Sequence, residues 1–151
     1  MKKYLMCLMA LLAVVLVSCD KSDPDVRDAF VGSYAVSAVI DYTVSAQGEQ
    51  ESGSMPVSGK VYVSKNGDGN GVLLAGDVYC NGTVENGTLV IESQHIRQMT
   101  MQGLVDVDVT FAPAQLVDDQ LSISGEASGY VIVSGETTTI DATITGVATK
   151  Q

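Results

Sequence analysis

The segment FVGSYAVSAVIDYTV, residues 30–44, alternates with a period of two along its whole length. Its even-numbered positions share one face, which is mostly apolar: Phe30, Gly32, Tyr34, Val36, Ala38, Ile40, Tyr42 and Val44. The opposite face carries Ser33, Ser37, Asp41 and Thr43 among aliphatic residues. Successive side chains of a β-strand point to opposite sides of the sheet. The pattern therefore predicts a long strand with one face in a core and the other towards solvent.

The same period continues through the rest of the chain, in segments separated by turn residues. Alternation recurs in residues 55–63, 99–111, 121–124 and 138–149, and shorter strands are predicted at 72–80, 88–91 and 130–133. Between them lie turn signals at 47–53, 66–71, 86–87 and 125–129, while residues 94–98 favour no class. Nothing after residue 19 repeats with the 3.6-residue period of a helix. The sequence therefore predicts an all-β domain of about eight antiparallel strands.

Two architectures fit about eight such strands, an up-and-down β-barrel and a β-sandwich. We favour the barrel, because long strands linked by tight hairpins can close on themselves and leave no strand edge exposed.

The first 18 residues have the composition of an export signal. Lys2 and Lys3 give a positive start, and an apolar run follows from Tyr4 to Val17. That run is too short to span a bilayer comfortably, and charge begins again at Asp20. Residues 1–18 are therefore predicted to be a signal peptide, and residues 19–29 a flexible tether to a domain at 30–151.

Leu16-Val17-Ser18-Cys19 resembles the lipobox of bacterial lipoproteins. The resemblance implies cleavage before Cys19 and a triacylated, palmitate-type anchor on that cysteine. Two or more acyl chains anchor a protein stably, at roughly 0.8 kcal/mol per buried methylene. The alternative is an ordinary secretory signal in which Cys19 is incidental. The acidic residues after Cys19 loosely resemble surface-export signals, which places the protein in the envelope at the outer membrane, on its periplasmic face or at the cell surface.

The formal charge limits the classes of partner. It is −10 for the chain, and it becomes −12 once Lys2 and Lys3 leave with the signal. Nucleic acid and anionic lipid headgroups both require Lys and Arg, so neither is an expected partner. The carboxylates are scattered along the chain, which favours solubility over an acid-rich binding face.

Several segments also resemble lipocalin-like and calycin-like barrels. Residues 30–34 match the Phe-x-Gly-x-aromatic opening of that group, and residues 82–91 resemble its Gly-x-Val-x-x-Gly-x-Leu-x-Ile hairpin. Residues 119–123 and 140–146 look like its closing strands. Tyr34 stands where the group usually has tryptophan, and no arginine near the C-terminus is available to pack over it. The resemblance implies the barrel fold more than any particular ligand.

Residues 66–77 contain the sharpest local motif. Asn66, Asp68, Asn70, Gly71 and Asp77 have the spacing of positions 1, 3, 5, 6 and 12 of a calcium loop. Position 12 is usually a bidentate glutamate, and the predicted flanks are strands rather than helices. We therefore interpret the segment as a hairpin tip, and we predict no metal or cofactor.

Single residues give only weak indications of chemistry. Cys7 and Cys19 belong to the signal and the lipid site, so Cys80 is left without a disulfide partner and is predicted to be a small buried hydrophobe.

His95 is the only histidine, and we interpret it as a polar residue at a strand end. A catalytic His95 would need a pocket and a carboxylate within hydrogen-bond reach. Asp106 and Asp108 are predicted to lie on a solvated strand face.

The sequence therefore predicts a non-enzymatic, lipid-anchored protein that binds a small apolar ligand or a protein partner at the open end of its barrel. The alternative is an interaction module, an accessory or inhibitor protein whose exposed patch binds a partner at the cell surface. An enzyme is the third possibility. The chain has six tyrosines and two phenylalanines, and so few aromatic residues favour a filled barrel interior over an open cup.

Overall fold

The computed structural model describes residues 24–101 and 103–151. Within them the chain forms ten β-strands, and no helix there is long and apolar enough to cross a membrane. The predicted signal peptide and Cys19 lie outside the described residues. The strands are β1 (Gly32–Ala46), β2 (Glu49–Lys65), β3 (Gly71–Ala75), β4 (Tyr79–Glu85), β5 (Thr88–Ile91), β6 (Gln94–Met99), β7 (Leu104–Phe111), β8 (Ala114–Val117), β9 (Gln120–Val133) and β10 (Glu136–Lys150).

Eight of these strands form a closed antiparallel ring, which confirms the predicted all-β barrel. The order around the ring is β10, β1, β2, β3, β4, β5, β8 and β9, and β9 pairs back to β10. The closure between β5 and β8 is brief, with Leu89 opposite Ala114 and Thr88 opposite Gln115. The wall of the barrel is therefore uneven, with long strands on one side and short strands on the other.

The long strands extend beyond the ring and form a second region, which we call the distal sheet. It contains the outer parts of β2, β1, β10 and β9, followed by β7 and β6. This arrangement is possible because β9 changes partner along its length. Leu121 lies opposite Leu116 of β8, whereas residues 125–132 lie opposite residues 111–104 of β7. The two margins of the distal sheet are β2 and β6.

Four tight hairpins join consecutive strands and set their register. Their central residues are Gln47-Gly48, Asn86-Gly87, Asp118-Asp119 and Ser134-Gly135, and all eight have positive φ angles between 49° and 85°. Two consecutive residues with positive φ define the type I′ turn, whose twist matches that of the flanking strands. The Asn86-Gly87 hairpin confirms the prediction made from its sequence.

Several predicted element boundaries were wrong. The segment 72–80 is two strands, because the chain turns at residues 76–78, where Gly76 N–H donates to the Val78 carbonyl. The predicted turn at 47–53 is only Gln47-Gly48, and residues 94–98 lie in β6. Residues 125–129, predicted as a loose turn, continue β9 without a break.

The core lies at the end of the barrel where β1 begins. Its buried side chains come from seven strands and the segment that precedes them: Phe30, Tyr34, Val63, Val72, Val84, Leu89, Leu121 and Ala148. The Tyr34 hydroxyl donates a 2.8 Å hydrogen bond to the Phe30 carbonyl, which satisfies that polar group within the core. Burial raises the pKa of the Tyr34 hydroxyl.

Residues 25–30 cover this closed end. Arg27 lies in the segment that the sequence predicts to be a flexible tether, yet its side chain is buried and contacts the hairpin between β2 and β3. The packed part of the domain therefore includes residues that precede the predicted boundary at Phe30.

Candidate functional site

The inside of the barrel contains an apolar cavity of about 250 Å³. The inward-facing residues of each strand line it, as the alternation predicts, and no charged residue is found among the described residues of its wall. The interior is therefore not filled, contrary to the prediction from aromatic content. Large side chains at the closed end, such as Phe30 and Tyr34, fill only that end of the barrel. Further along, small and medium residues such as Ala38, Cys80 and Ala114 leave the space open.

The cavity reaches the surface beside Val78. This residue lines the cavity and is 51% exposed, in the short turn between β3 and β4. Val57 and Val61 line the same side, on the part of β2 whose outer edge has no partner strand among the described residues. The short strands β3 and β4 therefore leave a gap in the wall through which an apolar group can enter.

Cys80 lies on the inward face of β4, as the sequence predicts, and lines the cavity. It is half-buried and is the free cysteine of the described residues. Burial raises the pKa of the Cys80 thiol. A raised pKa keeps sulfur in the thiol form, which is a poor nucleophile. The local environment therefore suits a packing residue rather than a reactive one.

A second, polar concavity lies on the distal sheet and measures about 780 Å³. We call it the polar groove. It crosses five strands, and side chains with hydroxyl and carboxylate groups line it: Asp41, Thr43, Ser52, Ser54, Asp108, Thr110, Glu126, Ser128, Asp141 and Thr143. No Lys or Arg is found among its described lining residues. The scattered carboxylates of the sequence are thus partly gathered on one surface, contrary to the even distribution we expected.

Strand register explains why these residues meet. Asp41 lies opposite Ser54 on one side and Thr143 on the other, and Thr143 in turn lies opposite Glu126. A parallel row passes through Ser52, Thr43 and Asp141 to the Ser128–Asp108 pair. Hydrogen bonds link neighbours within the rows: Ser54 donates to Asp41, and the hydroxyls of Thr43 and Ser52 are 2.9 Å apart. Sequence reasoning missed this groove because adjacency across strands requires the register.

His95 lies at one side of the distal sheet, between two carboxylates. Its Nδ1 is 2.8 Å from Asp108 Oδ1, and its Nε2 is 3.4 Å from Asp106 Oδ1. The carboxylate required for a catalytic His95 is therefore within reach, and Asp108 also lines the polar groove. Both ring nitrogens face carboxylates, however, so neither is directed at a nucleophile. The two carboxylates therefore fix the orientation of the imidazole ring.

Asp106 differs from the solvated residue that the alternation predicts. It is only 8% exposed, because Tyr130 and Arg97 cover it. The Tyr130 hydroxyl donates a 3.1 Å hydrogen bond to Asp106 Oδ2, and Arg97 Nε lies 3.5 Å from the same oxygen. The Asp106 carboxylate, by accepting this bond, raises the pKa of the Tyr130 hydroxyl. Asp108, two residues along, is exposed as predicted.

The calcium-like motif is divided between two turns. Asn66, Asp68 and Asn70 belong to the hairpin between β2 and β3, whereas Asp77 lies in the next turn. The hairpin carbonyls of Gly67 and Gly71 accept hydrogen bonds of 2.9 and 3.1 Å from Arg27 Nη1. The guanidinium of the chain itself therefore occupies this loop. Residues 24–101 and 103–151 contain no group of three or more His, Cys, Asp or Glu side chains placed to hold a metal ion.

Comparison with known proteins gave little likeness. No family model matches the chain, and no curated protein matches it. Among solved structures, the chain is similar to the ywiB protein from Bacillus subtilis, with 16% sequence identity and a TM-score of 0.28. That match covers 76% of this chain and 92% of the other.

Proposed function

We propose that this protein is a lipid-anchored envelope lipoprotein that holds a small apolar ligand inside its barrel without changing it chemically. The observation that carries the proposal is the apolar cavity of about 250 Å³, which opens to the surface beside Val78. An apolar cavity of about 150 Å³ is already large enough to bind benzene. The space therefore suits a compact apolar molecule or the apolar part of a larger one.

The lining of the cavity supports an apolar ligand. Apolar surface gains roughly 25 cal/mol per Å² when it leaves water, so each contact with valine, leucine or isoleucine favours an apolar guest. A charged group in the cavity would lose its hydration without gaining a partner, because the described lining carries no charge. Any polar group of the ligand is therefore expected to remain at the mouth.

Native mass spectrometry of protein purified with minimal washing tests the proposal. We expect an adduct that survives in the wild type and is lost in Cys80→Phe, because the added ring occupies the cavity. Tyr79→Phe is the matched control, since Tyr79 immediately precedes Cys80 on β4 and its side chain is 69% exposed. The proposal would be contradicted if the wild type formed no adduct and also took up no added apolar dye.

The anchor is tested separately at Cys19. In Cys19→Ala we expect soluble or uncleaved protein, and no incorporation of labelled fatty acid. Labelled fatty acid that remains on the variant would show that the lipid is attached elsewhere. This result would leave the cavity unaffected.

The second candidate is an interaction module at the cell surface, and the polar groove favours it. Four carboxylates line the groove with no lysine or arginine beside them, so the complementary partner is a protein segment rich in Lys and Arg. The variant Asp41→Asn/Asp141→Asn should weaken such a complex and reduce its salt dependence. Binding that is unchanged in this variant would exclude the groove as the contact surface.

A further inference from the structure

Strand β6 forms an open margin of the distal sheet. Gln94–Met99 pairs with β7 on one side, from Gln94 opposite Val109 to Met99 opposite Leu104. On the other side, no strand of the described residues pairs with it. The backbone N–H and C=O groups on that side are therefore available to a further strand.

The other margin of the distal sheet carries features that discourage strand pairing. The unpaired part of β2 contains Pro56, which lacks an N–H group, and the charged residues Glu49, Glu51 and Lys60. Proline and charge on an edge strand are two ways in which proteins prevent edge-to-edge association. Pairing at this margin is therefore disfavoured.

Strand β6 lacks this protection. It contains no proline, and carboxylates of β7 pair with its two basic side chains, His95 with Asp108 and Arg97 with Asp106. Met99, the last residue of the strand, is 72% exposed, and Met101 just beyond it is fully exposed. Of the two margins, β6 is therefore the one suited to accept a strand.

The sequence of β6 indicates which strand it would accept. Gln94-His95-Ile96-Arg97-Gln98 has the same chemical order in both directions: amide, basic, aliphatic, basic, amide. We propose that β6 pairs antiparallel with β6 of a second copy of this chain, with Ile96 on the twofold axis. A symmetric dimer brings the same patch together from both subunits, and in this register each amide faces an amide and Ile96 faces Ile96.

The side chains across the new contact are compatible in this register. Gln94 lies opposite Gln98 of the second copy, where two amides can hydrogen-bond, and the two Ile96 side chains meet on the apolar face. His95 lies opposite Arg97 of the second copy. Asp106 and Asp108 of each copy flank these basic groups, and thereby offset their repulsion. The contact joins two six-stranded distal sheets into one continuous sheet. This dimer does not depend on which ligand the apolar cavity binds.

Disulfide trapping tests the register directly on the full chain. Opposite residues of antiparallel strands have Cα atoms about 4.5 to 5.5 Å apart, which suits a disulfide. Ile96→Cys should therefore form a covalent dimer in mild oxidant, far above the background of the wild type. Met55→Cys is the matched control, because Met55 is an exposed residue on the β2 margin.

A second pair of variants keeps the test valid if Ile96→Cys folds poorly. Gln94→Cys alone should cross-link weakly, whereas a mixture of Gln94→Cys and Gln98→Cys protein should give the mixed dimer. In sedimentation equilibrium, Gln94→Glu/Gln98→Glu should raise the dimer dissociation constant at least about tenfold, because carboxylates then face each other. Gln94→Glu/Gln98→Lys should restore dimerisation by placing opposite charges together.

Three results would overturn the proposal. The first is a wild-type chain that sediments as a monomer at every attainable concentration. The second is cross-linking of Ile96→Cys that is no stronger than that of Met55→Cys. The third is a cross-link from Ile96→Cys in cells to a product whose mass is not twice that of the chain, which would show that another protein supplies the strand.

Discussion

Arg27 joins the segment before the barrel to the β2–β3 hairpin. Its Nε and Nη2 donate to the two oxygens of Asp25 at 2.9 and 2.8 Å, and its Nη1 donates to two hairpin carbonyls. In Arg27→Met these acceptors lose the hydrogen bonds from the guanidinium, while the side-chain volume is nearly retained. We expect the melting temperature to fall by roughly 5 °C or more in a circular dichroism melt. Arg97→Met is the control and should change little, because Arg97 is 65% exposed.

Asp25 makes the same closure sensitive to acid. Hydrogen bonds from Arg27 and then from Lys65 hold the pKa of the Asp25 carboxyl well below its usual range. A lowered pKa in the folded state stabilises the fold above the unfolded value of about 3.9, and this stabilisation is lost as the pH falls below it. Urea unfolding of wild type and Asp25→Asn should therefore differ at pH 7, and the difference should shrink progressively as the pH falls below about 3.9 towards the lowered pKa of the folded state. A difference that stays constant across that range would contradict this role.

Strand pairing between β7 and β9 brings Gly129 close to the backbone of β7. A Cβ on Gly129 would lie 2.7 Å from the Cα of Val107, and closer still to the Asp106 carbonyl, both of which belong to the β7 backbone. Gly129→Ala should therefore push β7 away from β9 and lower the free energy of unfolding by about 2 kcal/mol. Hydrogen exchange should show the loss of protection in β6 and β7 first.

Gly59→Ala is the matched control within a strand. Gly59 lies in β2, its φ is not positive, and a Cβ there would meet no atom within 4 Å. Alanine restricts the unfolded chain more than glycine does, so we expect no loss of stability and a gain of up to about 1 kcal/mol. Equal destabilisation by the two substitutions would mean that the close approach at Gly129 is not what matters.

The glycines of β9 show which features of an element the sequence can predict and which it cannot. The alternation in β1 and the Asn86-Gly87 turn are local signals, and both are confirmed. Gly125 and Gly129 also look like local turn signals, yet they lie within β9 because each meets the backbone of β7 closely. A close approach between strands distant in sequence leaves no local signal that distinguishes it from a turn.

The apolar cavity and the polar groove also combine local features, which the sequence predicts, with non-local features, which it does not. The inward face of each strand can be predicted from alternation, so the residues of the cavity wall could be named in advance, Cys80 among them. Whether that wall encloses an open space depends on the distance between strands, and the prediction of a filled interior was wrong. The polar groove depends on register between β1, β10 and β9, which turn lengths fix and composition does not.

Closure of the whole barrel depends on the end of β10, because its last residues pair with strands on both sides. Tyr34 lies opposite Lys150, and Gln120 lies opposite Thr149. Lys150 N–H donates to the Asp119 carbonyl at 2.7 Å, and Lys150 Nζ donates to the Ala29 carbonyl at 2.7 Å. These contacts join the segment before the barrel, the first strand and the last hairpin at a single point.

Removal of residues 147–151 should therefore open the ring at its closed end. The deletion removes Ala148 from the core together with the final pairs of β10, so the apolar interior would meet water along the seam between β1 and β9. We expect a broad, weakly cooperative thermal transition and strong binding of an apolar dye, as in states that keep strands but lose packing. Deletion of Gln151 alone should leave both properties close to wild type, because it removes only the bond to the Ser33 carbonyl. A sharp transition at the wild-type temperature after the longer deletion would mean that the remaining ring pairings suffice, and that the β10 terminus does not control closure.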